Sequence, residues 1–137
     1  LWKEVRKKVI ILDTDVLIEI LDRKSKKGKK ILEKLKQIRE ELCTTSVNFH
    51  EILYGLYKVG KRELIEKLKQ LTILEFGEAD AELSSKLEVE LEKEGKKVAR
   101  LDCMIAAIAI NNEAKLCTLN LRHFRYFKKF GLKIFKL

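Results

Sequence analysis

Five short apolar stretches, separated by longer segments with helical periodicity, constrain the fold more than any other feature of the sequence. A strand that is apolar on both faces needs cover on both sides, and such strands occur in parallel sheets whose connections are helices. The alternation therefore predicts the α/β class, as a three-layer α/β/α sandwich with a four- or five-stranded parallel sheet. At 137 residues, the chain is predicted to form a single domain over 1–137. The five stretches are VIIL at 9–12, CTTS at 43–46, TILEF at 72–76, KLCTL at 115–119 and LKIF at 132–135.

Polar side chains follow the first and fourth of these stretches, at the points where the strands end. The segment VIILDTDVLI runs from an apolar strand directly into Asp13 and Asp15, and the fourth stretch leads through Thr118 to Asn120. Ligand sites in open parallel sheets lie beyond the carboxyl ends of the strands. A carboxylate buried there without a partner costs on the order of several kcal/mol. From the residues alone, Asp13 could serve a metal site, a phosphate-transfer site or a solvated turn.

Two further acidic residues lie in predicted helices near the same end of the sheet. Glu51 lies in a helix predicted to be capped by Ser46, and Gly55, one turn later, is interpreted as letting another backbone approach closely. Asp102 begins the most apolar helix of the chain. Each acid has an ordinary alternative, because Glu51 could be an exposed helix glutamate and Asp102 an N-cap carboxylate on the helix dipole.

The charge of the chain favours a polyanionic partner. It carries 30 Lys and Arg against 21 Asp and Glu, for a formal net charge of +9, and the positive charge concentrates towards the two ends of the chain. Such a field attracts RNA or DNA, although a solvated lysine-rich surface accounts for the same composition. No apolar run reaches the roughly eighteen residues that span a bilayer, so we expect no membrane partner.

The cysteines and the opening residues predict a cytoplasmic location. Cys43, Cys103 and Cys117 are odd in number and lack CxxC or CxxH spacing, which disfavours a zinc site or a disulfide framework. They are interpreted as buried thiols in a reducing compartment. The first ten residues, LWKEVRKKVI, lack the apolar core and cleavage site of a signal peptide, so export is not expected.

One resemblance concerns the first motif alone. An apolar strand followed by Asp-x-Asp resembles haloacid-dehalogenase-type phosphatases, in which Asp13 would attack phosphorus and Asp15 would handle the leaving-group proton. That family also needs a phosphate-binding lysine and a second acidic pair late in the chain. Here the fourth strand ends in Thr118-Leu-Asn120, and no GDxxxD motif occurs. Because only the first motif matches, a phosphatase is the alternative enzyme and not the preferred one.

Four segments together resemble the PIN-domain ribonucleases, and most closely the VapC toxins of toxin–antitoxin pairs. They are LDTDVLI, TSVNFHEILYGL, RLDCMIAAIAI and CTLNLRHF, which follow the family order along the whole chain. The resemblance implies a PIN-like fold and a metal-dependent endoribonuclease that hydrolyses RNA phosphodiester bonds. It also implies a homodimer and a small VapB-like antitoxin that is not part of this chain.

The same resemblance implies roles for individual residues. The family has three carboxylate metal ligands and a fourth catalytic position, Asp or Asn, near the last strands. Two departures bear on the metal, because Asp15 stands where the family usually has Asn or Ser, and Asn120 at the fourth position is neutral. The implied catalytic residues are Asp13, Glu51, Asp102 and Asn120, of which the three acids ligate the metal, with Asp15, Thr118 and His123 as candidate accessory residues.

The chemistry of these residues agrees with the resemblance. Carboxylates from distant segments repel one another unless a hard cation compensates, and oxygen ligands suit Mg²⁺ or Mn²⁺ rather than zinc. A non-enzymatic alternative is a PIN-fold RNA-binding module whose metal site is weak because Asn120 is neutral. Basic residues after the fourth strand are candidate RNA-binding side chains, while the aromatic residues between them are interpreted as core. These basic residues are Arg122, Arg125, Lys128 and Lys129, and the aromatic residues are Phe124, Tyr126 and Phe127.

Overall fold

The sheet has five strands, and all of them run parallel. The computed structural model describes residues 8–137. The strands are β1 (Val9–Leu12), β2 (Glu41–Thr45), β3 (Thr72–Leu74), β4 (Lys115–Cys117) and β5 (Lys133–Ile134). Their order across the sheet is β3-β2-β1-β4-β5, so β1 is central. The predicted α/β class and parallel sheet are therefore confirmed, with five strands.

Helices connect the strands throughout the described range. Short 3₁₀ turns at Arg62–Leu64 and Arg125–Phe130 supplement them. The α-helices are α1 (Thr14–Leu21), α2 (Lys26–Lys36), α3 (Ser46–Val59), α4 (Ile65–Leu68), α5 (Glu78–Lys93), α6 (Arg100–Asn111) and α7 (Leu121–Phe124).

Alternate side chains of β1 enter two separate apolar cores. Ile11 belongs to a core formed mainly by α5, α6, α7 and the 3₁₀ turn that follows α7. Ile10 and Leu12 belong to a second core formed by α1, α2, α3 and α4. Successive side chains of a strand point to opposite faces of the sheet, so both faces are covered. This arrangement confirms the predicted three-layer sandwich.

The direction of the strand order reverses at β1, and this reversal places the polar strand ends together. From β1 the chain moves outward through β2 and β3, and it then returns to the other side of β1 as β4. A crevice forms beyond the carboxyl ends of parallel strands at such a reversal. The Asp13 backbone N–H donates to the Cys117 carbonyl at 3.0 Å, so the segments that leave β1 and β4 are adjacent there.

The N-cap of α3 lies one residue earlier than predicted from the sequence. Thr45, in extended backbone conformation, is the N-cap, and its hydroxyl accepts from the Asn48 backbone N–H at 3.1 Å. The predicted cap Ser46 is instead the first helical residue, and its hydroxyl accepts from the Phe76 N–H at 3.1 Å. Both side chains can cap, and the extended conformation that a cap requires occurs at Thr45.

The close backbone approach expected at Gly55 occurs at another glycine. A Cβ added at Gly55 would meet no atom within 4 Å, so that interpretation was wrong. A Cβ added at Gly28 would lie 2.0 Å from the Glu19 carbonyl oxygen, which shows that α1 and α2 cross with their backbones nearly touching. Sequence periodicity does not distinguish the two positions, because the difference lies in what faces each helix.

All three cysteines are buried free thiols, as predicted. Burial raises the pKa of Cys43 and Cys117 to about 12 and that of Cys103 to about 11, so the thiols stay protonated at neutral pH. Within residues 8–137, no helix has the length and apolar character needed to cross a bilayer. The expectation about a signal peptide concerns the opening of the chain, of which residues 1–7 lie outside the described part.

Candidate active site

Asp13 is buried at the end of β1, with 7% of its surface exposed, and protein donors surround its carboxylate. Its Oδ1 accepts from the Thr14 backbone N–H at 2.9 Å and from the Asn48 side-chain amide at 2.8 Å. Its Oδ2 accepts from the Thr118 hydroxyl at 2.7 Å. Asp13 also serves as the N-cap of α1. These donors compensate the burial of a charged group that the apolar strand imposes.

Asp15 lies beside Asp13 and is bound to the segment after β4. Its carboxylate accepts from the Leu119 backbone N–H at 3.2 and 3.3 Å, and the Thr118 hydroxyl is 3.5 Å away. Burial, and then the negative charge of Asp13, raise the pKa of Asp15 above its ordinary value. The two acids that follow β1 therefore share one electrostatic environment.

Glu51 reaches the same place from the second turn of α3. Its Oε1 accepts from the Thr14 hydroxyl at 2.9 Å. That hydroxyl in turn accepts from the Asn48 amide at 3.0 Å. Glu51 is therefore joined to Asp13 through residues 14 and 48, and the alternative of an isolated surface glutamate does not describe it.

Asn48 is a site residue that the sequence analysis missed. It is fully buried, and its amide nitrogen bridges Asp13 and Thr14 while its Oδ1 accepts from the Thr45 hydroxyl at 2.7 Å. A signal for it existed, because an asparagine in the first turn of a helix, three residues before Glu51, faces the same strand end. An amide in an apolar environment needs such partners for both of its ends.

Asp102 approaches the three other acids from α6. It is the third residue of that helix, and Ala99 is the N-cap, so the N-cap alternative is wrong. Burial raises the pKa of Asp102, and the next largest cause is the negative charge of Asp13; Glu51 and Asp15 add smaller contributions in the same direction. The four carboxylates are therefore close enough for the charge of the other three to affect the pKa of Asp102.

Asn120 and His123 form the edge of the site next to Asp102. The Asn120 side-chain nitrogen is 2.8 Å from His123 Nδ1, which also lies 3.6 Å from Asp102 Oδ2. If the imidazole is neutral with its proton on Nε2, Nδ1 accepts from Asn120. If it is protonated, Nδ1 donates towards Asp102 instead, and the positive charge offsets part of the repulsion among the acids. The Asn120 backbone N–H donates to the Thr118 hydroxyl at 3.0 Å.

The donor set fits a hard divalent cation in its chemistry. The site offers carboxylate oxygens. Burial, and then repulsion by Asp13, raises the pKa of Asp102 and Asp15, and an added positive charge would lower it again. Within residues 8–137, no three His, Cys, Asp or Glu side chains are already gathered as a metal-holding group. Asp13 and Glu51 are instead held by the amide and hydroxyl donors around them.

The basic residues predicted to bind RNA differ in how freely they project. Arg122 and Lys128 are exposed. Arg125 donates to the Tyr126 hydroxyl at 3.1 Å and lies over that ring, and Lys129 forms an ion pair with Glu94. Exposed pairs of this kind contribute little to stability, so a phosphate can compete for these side chains. The aromatic residues Phe124 and Phe127 are buried in the core, as interpreted from the sequence.

An apolar groove of about 820 Å³ opens beside the acids, between α1 and α3. Glu51 lies among its lining residues, and Gly55 leaves the groove open where a side chain would narrow it. Two of its apolar residues, Ile18 and Val59, are more than half exposed. The apolar part of the lining consists of Ile18, Leu21, Ile52, Leu56, Val59 and Leu64.

Comparison with known proteins identifies the family. A PIN-domain family model matches residues 10–129. The chain is 32% identical over 119 residues to Ribonuclease VapC2 of Haemophilus influenzae, covering 83% of this chain and 88% of that protein. The fold matches VapBC-1 of nontypeable H. influenzae with a TM-score of 0.80, at 22% identity and with 93% and 97% of the two chains covered. It also matches VapBC-5 of Mycobacterium tuberculosis, a member of the VapBC family of toxin–antitoxin systems, with a TM-score of 0.72, 20% identity and coverage of 94% and 98%. This chain belongs to the PIN-domain family, among the VapC ribonucleases.

Proposed function

We propose that this protein is a Mg²⁺- or Mn²⁺-dependent endoribonuclease that hydrolyses RNA phosphodiester bonds as the toxin of a VapBC pair. One observation carries the proposal: four carboxylates, from the residue after β1 and from α1, α3 and α6, interact at the carboxyl end of the sheet in a chain of the VapC family. Carboxylates gathered in this way and held by protein donors can bind a cation that contacts a phosphodiester.

Asp13, Glu51 and Asp102 are the residues that would hold the cation. When bound, the cation supplies Lewis-acid activation of the phosphodiester and of water. Protein donors orient two of these carboxylates: buried Asn48 and Thr118 bond Asp13, and partly buried Thr14 bonds Glu51. Asp102 accepts no such hydrogen bond from a neutral donor within the described residues, and burial and the negative charge of Asp13 raise its pKa, which a bound cation would lower.

The remaining polar residues position these groups and can move a proton. The Thr118 hydroxyl contacts Asp13 and Asp15 and accepts from the Asn120 backbone, so it ties β1 to the segment after β4. The exposed imidazole of His123, beside Asn120 and Asp102, can exchange a proton with solvent at the edge of the site. Asn120 contributes an amide rather than a fourth charge.

The RNA would approach from the basic side of the molecule. Arg122 is exposed and follows Asn120 by two residues. With Arg125, Lys128 and Lys129 it supplies positive charge for the flanking phosphates, which the acidic centre repels. The net charge of +9 favours the same partner.

The apolar groove between α1 and α3 is the proposed seat of a VapB-like antitoxin segment. Its exposed apolar residues and its position beside Glu51 suit a partner segment that covers the acids and blocks the RNA. The complexes named for the structural relatives support a partner of this kind. A homodimer and a cytoplasmic location complete the proposal, and the three buried free thiols fit a reducing compartment.

Cleavage of single-stranded RNA by the purified protein tests the proposal. Wild-type protein should cut in Mn²⁺ and stop in EDTA, and Asp102→Asn should cut at least about a hundredfold more slowly, which corresponds to roughly 3 kcal/mol of transition-state stabilisation. RNA binding without cleavage under every divalent condition would favour the RNA-binding module. The neutral Asn120 and the absence of a pre-gathered metal group in residues 8–137 are the observations behind that second candidate. The dehalogenase-type phosphatase has no support, because the chain belongs to the PIN-domain family.

A further inference from the structure

A second, smaller pocket of about 310 Å³ lies between the first two turns of α3 and the first turn of α6. Its lining is Ser46, Val47, His50 and Glu51 of α3 together with Leu101 of α6. Its volume is at the lower end of the range for small-molecule pockets, which suits one flat heterocycle rather than a larger ligand.

The walls of this pocket are the immediate chain neighbours of two site carboxylates. His50 precedes Glu51, and Leu101 precedes Asp102. Glu51 itself lines the pocket, and Leu101 on the opposite wall is the residue before Asp102. A phosphodiester held at the acids would therefore have its adjoining nucleoside near this pocket.

The lining has the mixed character that recognition of a nucleobase requires. Leu101 is an apolar side chain with 45% of its surface exposed, and Val47 adds a second apolar surface. The exposed imidazole of His50 forms no hydrogen bond within residues 8–137, so both ring nitrogens can meet the edge of a base. Proteins that read single-stranded RNA stack its bases on flat side chains and hydrogen-bond their edges.

The pocket continues into an aromatic and cationic surface along α3. Tyr54 and Tyr57 follow His50 at positions i+4 and i+7 of the helix, and they are 63% and 54% exposed. Lys58 Nζ lies 5.6 Å from the Tyr54 ring centre, and Arg62 Cζ lies 5.6 Å from the Tyr57 ring centre. Exposed rings with cations beside them form the kind of surface on which single-stranded nucleic acid stacks.

From this arrangement we infer that the pocket of His50 and Leu101 binds the base next to the cleaved phosphodiester, and that Tyr54 stacks on the following base. The inference rests on the proposed ribonuclease function and adds a site of base selection to it. RNA suits this surface better than a second copy of the chain. RNA phosphates would neutralise Lys58 and Arg62 beside the two rings, whereas a second copy of this chain carries the same net charge of +9 and offers no excess of negative charge.

Binding measured without cleavage tests the pocket directly. In EDTA, a labelled single-stranded oligoribonucleotide is displaced by the same unlabelled RNA or by inorganic polyphosphate at equal phosphate concentration. RNA should be the better competitor for the wild-type protein, because polyphosphate has no bases. The measured quantity is the ratio of the polyphosphate concentration to the RNA concentration that displaces half of the labelled RNA. His50→Ala, Leu101→Ala and Tyr54→Ala should each reduce this ratio by about fivefold or more, the low end of what base stacking contributes. Val89→Ala, which removes a similarly exposed apolar side chain from α5, is the matched control and should keep the wild-type preference for RNA over polyphosphate.

Sequencing of the cut sites in a randomised RNA pool gives the second readout. In Mn²⁺, the base preference beside the cut should change in His50→Ala and Leu101→Ala and stay the same in Val89→Ala. Equal competition by polyphosphate for the wild-type protein, or unchanged preferences in the pocket variants, would overturn the inference while cleavage itself upheld the proposed function. Base-dependent binding by a protein that never cleaves RNA would support the pocket and contradict the proposed ribonuclease function. Loss of self-association without loss of RNA binding in Tyr54→Ala would assign the surface of α3 to a second copy.

Discussion

The Asn48 side-chain amide donates a 2.8 Å hydrogen bond to the Asp13 carboxylate, and both residues are buried. This bond joins α3 to the end of β1 across 35 positions of the sequence. Through it, the acid that ends the central strand and the helix that carries Glu51 become parts of one hydrogen-bonded unit. The geometry of the carboxylates therefore depends on a neutral residue as much as on the acids themselves.

Replacing this amide should cost stability and activity together. Asn48→Ala removes the donor to Asp13 and Thr14 and leaves the buried Thr45 hydroxyl without its acceptor. We expect the free energy of unfolding in EDTA to fall by about 2 kcal/mol. Urea denaturation measures this, with Asn112→Ala as the control, because within the described residues the Asn112 amide bonds only a carbonyl of α6, the helix that Asn112 follows as C-cap. Equal losses in the two variants would show that the Asn48 network has no special role.

Neutralising Asp13 and neutralising Asp102 should have opposite effects on the metal-free protein. Charge repulsion among the acids, taken alone, predicts that Asp13→Asn leaves the metal-free protein as stable as wild type or slightly more so. The structure reverses that expectation, because an amide nitrogen in place of one oxygen must face the donor of Asn48 or Thr118. Asp13→Asn should therefore lose about 1–3 kcal/mol of unfolding free energy.

Asp102→Asn provides the contrasting case. Its carboxylate carries a raised pKa from burial and from repulsion by Asp13, so removing the charge should leave the unfolding free energy unchanged or raise it. Thermal melts of both variants in EDTA, beside RNA cleavage in Mn²⁺, measure the difference. A strongly destabilised Asp102→Asn protein would mean that this carboxylate has a structural role.

Metal binding should stabilise the fold, and more so as the pH rises. The folded-state pKa values of Asp15 and Asp102 lie above the ordinary value of 3.8, so the metal-free protein loses stability as pH rises through them. Below the ordinary value both carboxyls are protonated in either state and this penalty vanishes. A cation that binds the ionised acids should therefore raise the melting temperature more at pH 7.5 than at pH 4.5. Melts with millimolar Mn²⁺ and with EDTA at the two pH values measure this, and an equal shift at both would contradict it.

Two glycine-to-alanine changes should move stability in opposite directions. Gly28→Ala places a Cβ 2.0 Å from the Glu19 carbonyl oxygen and should cost at least about 2–3 kcal/mol by forcing α1 and α2 apart. Gly55→Ala meets no atom within 4 Å and should stabilise α3 by about 0.5–1 kcal/mol. Urea denaturation of the pair compares them directly. A neutral Gly28→Ala would show that the two helices can separate freely.

The basic residues after β4 should influence how strongly RNA binding depends on salt concentration. Arg122→Ala combined with Arg125→Ala should flatten the slope of log K against log salt by roughly one to two units, if each side chain contacts one phosphate. Binding is measured in EDTA, which prevents cleavage. Lys67→Ala with Lys69→Ala removes the same charge near α4, on the opposite face of the sheet, and should change the slope less. Equal slopes in the two double variants would place the RNA elsewhere.

The sequence by itself determined the architecture and the main members of the site. Short strands without a polar face require cover on both sides, and this physical need fixed the parallel sheet with helices on each face. Because parallel strands expose their carboxyl ends at one edge, Asp13 and Thr118 were predictable neighbours even though 105 positions separate them. The motif segments around Glu51 and Asp102 then identified the family.

Only the tertiary structure decided how these residues are held and which surfaces stay open. Periodicity reports which face of a helix is buried, but it does not report which atom of a distant element lies opposite. The bond between Asn48 and Asp13 and the crossing at Gly28 therefore had no decisive sequence signal, and Gly55 was assigned the wrong neighbour. The pocket of His50 and Leu101 exists because two helices that are separate in the sequence begin side by side at the carboxyl end of the sheet.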